Sequence, residues 1–192
     1  HAVMAQPLSP YFGTCGGSST QHLDYSLQLE NKKNMLVRET GVSDVQIFHD
    51  QEYFYRNRLD LAFHPQGIGL RKKGDWRVIV PLDRCVISNE RLNSLMKEIL
   101  DFFEEPIDAF DVRKKIGTFH HVIVRTPTND STLLFVLNKD STHVAEAVEK
   151  IEAVSEKTTA KNVIVMYVDA HSGAAISDDF FVVKGEDWLL GE

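Results

Sequence analysis

Cysteine is almost missing from this chain. Two residues, Cys15 and Cys85, among 192 cannot build a disulfide framework, and their separation does not by itself say whether they meet. Long apolar runs are missing as well. Stretches such as 133–137 and 163–168 fall far short of the roughly 20 residues that cross a bilayer, so no membrane partner is expected. The opening His-Ala-Val-Met-Ala lacks the basic and apolar regions of a secretory signal, which makes the cytoplasm the expected location. Also absent are the glycine-rich phosphate loops, the Gly-x-Ser-x-Gly elbow and the His-Glu-x-x-His helix, and with them the chemistries those motifs announce. The histidines are scattered, and only His120 and His121 adjoin. In a regular strand these two face opposite ways and cannot share an ion without a bulge.

What is present is an ordinary globular composition, 43% apolar and 26% charged, with a net charge of −7 that is unevenly spread. Between residues 56 and 84 there are seven basic residues (Arg56, Arg58, Arg71, Lys72, Lys73, Arg77, Arg84) against three acidic, a local charge of +4 on a remainder of −11. Tyr53, Phe54, Tyr55, Phe63 and Trp76 are interleaved with these cations. That mixture suits RNA, which is gripped through phosphates and stacked bases. It also suits a solvated hairpin in which Phe54 and Phe63 are core and Trp76 caps the sheet edge. If 53–64 is one strand, Arg56 and Arg58 share a face while Tyr55 and Asn57 point the other way.

The pattern along the chain predicts an α+β fold. Residues 1–20, rich in Pro, Gly and Ser, read as a loop, and 21–52 as a helix and linker with Gly41 as a stop. Strands at 53–64, 68–72 and 76–80 form a three-stranded meander. A helix follows, capped by Asn89 or Ser88, with Leu92, Leu95, Met96, Ile99, Leu100 and Phe103 on one face and Pro106 beyond its end. The remainder reads as ββαββ: strands at 120–126 and 132–138, a helix capped by Ser141, then strands at 163–168 and 179–184 joined through His171-Ser172-Gly173. The expected architecture is thus antiparallel sheets packed with helices, with the main domain at 53–192.

Cys15 lies in Ser9-Pro10-Tyr11-Phe12-Gly13-Thr14-Cys15-Gly16-Gly17-Ser18, followed by Gln21-His22-Leu23, Tyr25, Gln28-Leu29 and Lys32. Further on come Tyr55-Arg56-Asn57-Arg58, Cys85 ahead of an Asn-x-Leu helix start, and a closing Val-Lys-Gly-Glu-Asp-Trp. In this order they resemble the iron–sulfur and RNA-binding central domain of the S-adenosylmethionine-dependent RNA uracil-5-methyltransferases, which form 5-methyluridine in tRNA or ribosomal RNA. The resemblance implies that Cys15 and Cys85 occupy two of four 4Fe-4S ligand positions. Ser9 and Ser18 stand at the other two. A hydroxyl is a poor replacement for a soft thiolate, so the motif is degenerate and no cluster is expected here.

The resemblance further implies that the S-adenosylmethionine fold and catalytic residues belong downstream of 192, so this chain alone should be inactive and bind no cofactor. It makes RNA the partner of a monomer, held through Arg56, Arg58, Arg71, Lys72, Lys73 and Arg77. A free-standing RNA- or protein-binding module without catalysis is the alternative, and a zinc site of Cys15, Cys85 and His22 is a third reading.

Overall fold

The computed structural model describes residues 4–171 and 177–187. His1, the Ser172-Gly173 turn and Trp188 of the closing motif lie outside these residues. Three helices and seven strands are formed: α1 Tyr25–Thr40, β1 Arg58–His64, β2 Gly67–Lys72, β3 Asp75–Pro81, α2 Glu90–Phe102, β4 Phe119–Arg125, β5 Thr132–Asn138, α3 Val144–Lys157, β6 Asn162–Val168 and β7 Phe180–Lys184. The α+β class holds.

The meander and the ββαββ unit merge into one seven-stranded sheet in the order β3-β2-β1-β4-β5-β6-β7. The seam is the antiparallel pairing of β1 with β4, from Arg58↔Arg125 to Ala62↔His121. One pair departs from the antiparallel expectation: β5 and β6 run parallel, from Thr132↔Asn162 to Asn138↔Val168. The reason is the connection, since α3 between them supplies the long crossover that parallel neighbours need.

Helices cover one face of this sheet. Leu92, Leu95, Met96 and Ile99 of α2 are fully buried, as is Ile151 of α3, and they pack with Val122, Val124, Phe135 and Val163 in one cluster. Phe63, Phe103 and Phe119 close that core with ring centroids 5.1–5.3 Å apart. Each such buried side chain contributes about 1.5–3 kcal/mol. On the opposite face, Ile123, Leu134, Val136, Ile164 and Met166 form a second apolar cluster at the β4–β6 end. The β2–β1–β4 end of that face is polar, and the candidate site lies there.

Local chemistry explains the element boundaries. Asn89 caps α2, its Oδ1 accepting the Leu92 N–H at 2.8 Å. Gly41 ends α1 with φ of +70°, a conformation glycine adopts without strain. The Ser141 cap is not used: α3 begins at Val144, behind His143, because the Ser141 Oγ instead accepts the His143 N–H at 3.1 Å and shares a hydrogen bond with Thr118. Strand β1 also starts later than the alternation predicts. Phe54 has φ of +59°, and the segment around it pairs with the one after Cys85 through Phe54 N–H to Val86 O (3.0 Å) and Arg56 N–H to Ile87 O (2.7 Å). Helix α1 buries none of its residues.

Candidate functional site

The cysteine loop and the basic meander meet. The loop is zipped to the end of β2 by hydrogen bonds from Gly16 N–H to Arg71 O and from Lys73 N–H to Thr14 O, both 2.8 Å. Gly16 must be a glycine here, because a Cβ would stand 2.8 Å from the Arg71 carbonyl oxygen. Tyr11 adds a tie to the other cysteine segment by donating to Asp83 at 2.8 Å, and the Asp83 carboxylate pushes the Tyr11 phenol upward in pKa.

Ser9, Cys15, Ser18 and Cys85 all line one small cavity of about 20 Å³, together with Gln21. The four positions singled out in the sequence are thus neighbours. Gln21, 6% exposed, bridges the serine side of the cavity: its Oε1 accepts the Ser9 N–H at 3.0 Å and its Nε2 donates to Ser18 Oγ at 2.6 Å. On the other side, Asn93 of α2 clasps Cys85, accepting its N–H at 2.8 Å and donating to its carbonyl at 2.9 Å. Burial pushes the Cys15 thiol upward, against the opposing pull of the Gly17 N–H and Arg56.

This donor set does not fit a four-iron cluster. It offers two thiols, and its hydroxyls are already engaged, Ser18 with Gln21 and Ser9 with the Tyr11 N–H. The cavity has room for about one water molecule. Nor is the zinc alternative assembled: His22 packs against Phe12 with ring centroids 5.3 Å apart. Among the described residues no three metal-ligating side chains converge.

Beside the cavity an open groove of about 800 Å³ is lined by Gly16, Gly17, Tyr55, Arg56, Asn57, Arg58, Asp60, Arg71 and His121, among others. Arg56, Arg58 and Arg71 therefore converge. The Arg58 guanidinium is held by Asp60 at 3.0 Å, a contact that raises its pKa. Burial pushes His121 down in pKa, Asp60 opposing and the arginines adding to the effect. Lys72 and Lys73 are exposed beyond the groove wall, and Arg77 lies over Trp76, its Cζ 5.6 Å from the ring centroid. Phe63 is core at 4% exposure and Trp76 is open at 53%. The β4 register shifts between Phe119 and His121, so the bulge that the two histidines would need exists, and their ring centroids are 6.2 Å apart. Gln21 and Asn93 stand in the quoted Gln21-His22-Leu23 and Asn-x-Leu motifs, but the sequence assigned neither a role. Their placement agrees with those motifs: Gln21 lies three residues past Ser18, and Asn93 one helical turn past the Asn89 cap.

No family model matches the chain. Curated relatives do. A tRNA (uracil(54)-C(5))-methyltransferase of Pyrococcus abyssi is 35% identical over 121 residues, 62% of this chain and 30% of that protein. An uncharacterized RNA methyltransferase of Caldanaerobacter subterraneus is 27% identical over 95% of this chain and 44% of its own length. The chain resembles the RNA uracil-5-methyltransferases. It spans less than half the length of these relatives. The crystal structure of the Pyrococcus abyssi tRNA (uracil-54, C5)-methyltransferase in complex with S-adenosyl-L-homocysteine shares the fold, with a TM-score of 0.67 at 24% identity over 93% of this chain and 42% of that one. No helix among the described residues is long and apolar enough to cross a membrane.

Proposed function

We propose that this chain is the RNA-gripping central part of an RNA uracil-5-methyltransferase acting on tRNA or ribosomal RNA as a cytoplasmic monomer, with its cluster site degenerate and methyl transfer performed by residues outside this segment. The observation that carries the reading is the convergence of Arg56, Arg58 and Arg71 on one groove next to the cysteine loop, in a chain whose named relatives modify RNA. The groove's cations are local on an otherwise acidic body, so attraction is confined to this place.

The cations contribute unequally. Arg58 must exchange Asp60 for a phosphate, whereas Arg56 makes only a long 3.5 Å contact with the Gly17 carbonyl and is the readier donor. In the cysteine cavity, Gln21 ties Ser9 to Ser18 within the loop, and Asn93 ties the Cys85 segment to α2. The backbone bonds of Gly16 and Lys73 hold the loop against β2, so that Gly16 and Gly17 form one wall of the groove.

Fluorescence anisotropy with a structured RNA hairpin tests this. Arg56→Ala with Arg58→Ala is expected to weaken binding several-fold at low salt and to flatten the salt dependence, each exposed contact being worth about 1 kcal/mol or less. Lys157→Ala with Lys161→Ala, in and after α3 on the helix-covered side, is expected to change neither. Equal losses from both pairs would show that attraction is diffuse and the groove is not the site.

A further inference from the structure

The edge of the β2–β3 hairpin carries features that the groove does not use. Trp76 on β3 is 53% exposed, with the Arg71 and Arg77 guanidinium carbons 5.7 and 5.6 Å from its ring centroid. The Arg71 Nη1 donates to the Trp76 carbonyl at 2.5 Å. Both arginines also line a cleft of about 310 Å³ together with Arg113, Phe110 and His120. Arg71 lines both this cleft and the groove, so the two share a wall.

The acids of the cleft are already occupied. Asp75 accepts the Arg77 N–H at 3.1 Å, and Asp111 accepts the N–H groups of Arg113 and Lys114 at 2.8 and 3.0 Å, which holds the Asp111 carboxyl below its ordinary range. Among the described residues no carboxylate forms an ion pair with Arg71, Arg77 or Arg113. Two guanidiniums on a half-open indole and a third in the adjoining cleft, none with a carboxylate partner, form a surface for an anion joined to a flat ring.

We infer that this edge is a single-stranded RNA subsite: one unpaired base stacks on Trp76 while its neighbouring phosphate enters the cleft between Arg77 and Arg113. The inference rests on the groove's being an RNA site and extends it. Stacking is sequence-tolerant, because every base has a π-face, and a duplex hides those faces. The edge therefore selects unpaired over paired RNA where the groove alone would not. A base arriving on the indole can displace a guanidinium from it, and the freed cation meets the incoming phosphate.

The test uses the 192-residue chain carrying Trp188→Phe, which leaves Trp76 as its only tryptophan. A single-stranded oligonucleotide of about 12 residues is expected to quench Trp76 fluorescence at saturation, whereas the same sequence in a perfect duplex, and heparin as a base-free polyanion, are expected to bind without quenching. Trp76→Ala is expected to weaken single-strand binding roughly tenfold and leave duplex binding unchanged. Arg113→Ala is expected to weaken single-strand binding several-fold with a flatter salt slope while the quench at saturation persists. RNA binding that depends on Arg56 and Arg58 but leaves Trp76 unquenched would overturn the subsite and spare the groove. Quenching by heparin equal to that by RNA would also overturn the subsite. No binding of any RNA would overturn both.

Discussion

Replacing Asn93 with alanine is expected to unfasten the Cys85 segment, and the size of the effect follows from its bonds. The Asn93 amide accepts the Cys85 N–H at 2.8 Å and donates to the Cys85 and Ser88 carbonyls at 2.9 and 3.1 Å. Cys85 itself is 8% exposed, so water cannot freely take over. A net hydrogen bond is worth about 1 kcal/mol, and an orphaned buried donor costs about 1–3 kcal/mol. The expected loss is therefore about 2–4 kcal/mol, or roughly 5–15 °C in Tm for a chain of this size. Urea denaturation gives the global figure, and the rate at which Cys85 reacts with a chromogenic disulfide in a Cys15→Ala background gives the local one. Both should respond to Asn93→Ala. Asn93→Asp keeps the acceptor but sets a carboxylate against two carbonyls, and it should behave similarly. Ser94→Ala, on the exposed side of the same helix turn, should change neither. A loss under about 0.5 kcal/mol with Cys85 still shielded would refute the reasoning, since that is the range of featureless surface changes.

Ser9→Cys with Ser18→Cys is expected to let the chain take up iron and acid-labile sulfide on anaerobic reconstitution, read by absorbance and metal analysis, with the unchanged chain remaining clear. Uptake by the unchanged chain would contradict the donor-set argument. His120 is held neutral in the fold, its pKa pushed down from 6.5 to about 4 by burial and by the nearby His121, Arg71 and Lys115. A depressed histidine favours folding above its unfolded value, so this contribution is complete above about pH 6.5 and is lost as the pH falls to about 4. The loss should be on the order of 1–2 kcal/mol once partial solvent access is counted. Urea midpoints at pH 7 and pH 5 should differ less in His120→Phe than in the parent chain, and an unchanged difference would remove His120 as the cause.

Some of this architecture was plain in the sequence because its determinants are local. Helix α2 could be read from Asn89 and its apolar stripe, and β5 coincides with the predicted 132–138 because an apolar run bounded by turn residues leaves little freedom. The direction of β6 against β5 was not legible, since periodicity carries no sign and only the crossover through α3 decides it. Nor was the break at Phe54, an aromatic residue in a left-handed conformation that nothing nearby announces. At the site, Arg56, Arg58 and Arg71 were recognisable as a charge island. The roles of Gln21 and Asn93 were not, although both stand in the quoted motifs, because a neutral amide on a helix or turn looks the same whether it faces water or clasps a backbone. Arg113 stood apart from the island in sequence and joins it only across the fold.

The seam between β1 and β4 has a kinetic meaning. Arg58 finds Arg125, and Ala62 finds His121, only after the chain has closed a long loop. Such non-local pairings form slowly, because the entropy of closure must be met before the contacts return anything. The groove straddles this seam, with Arg56, Arg58 and Arg71 supplied from one side and His121 from the other. It therefore comes into being with the most sequence-distant strand pairing of the sheet rather than with either hairpin. A bound polyanion then acts as a clamp across the join, shifting the folding equilibrium by mass action, and the chain should refold to greater completion in the presence of its ligand than without it.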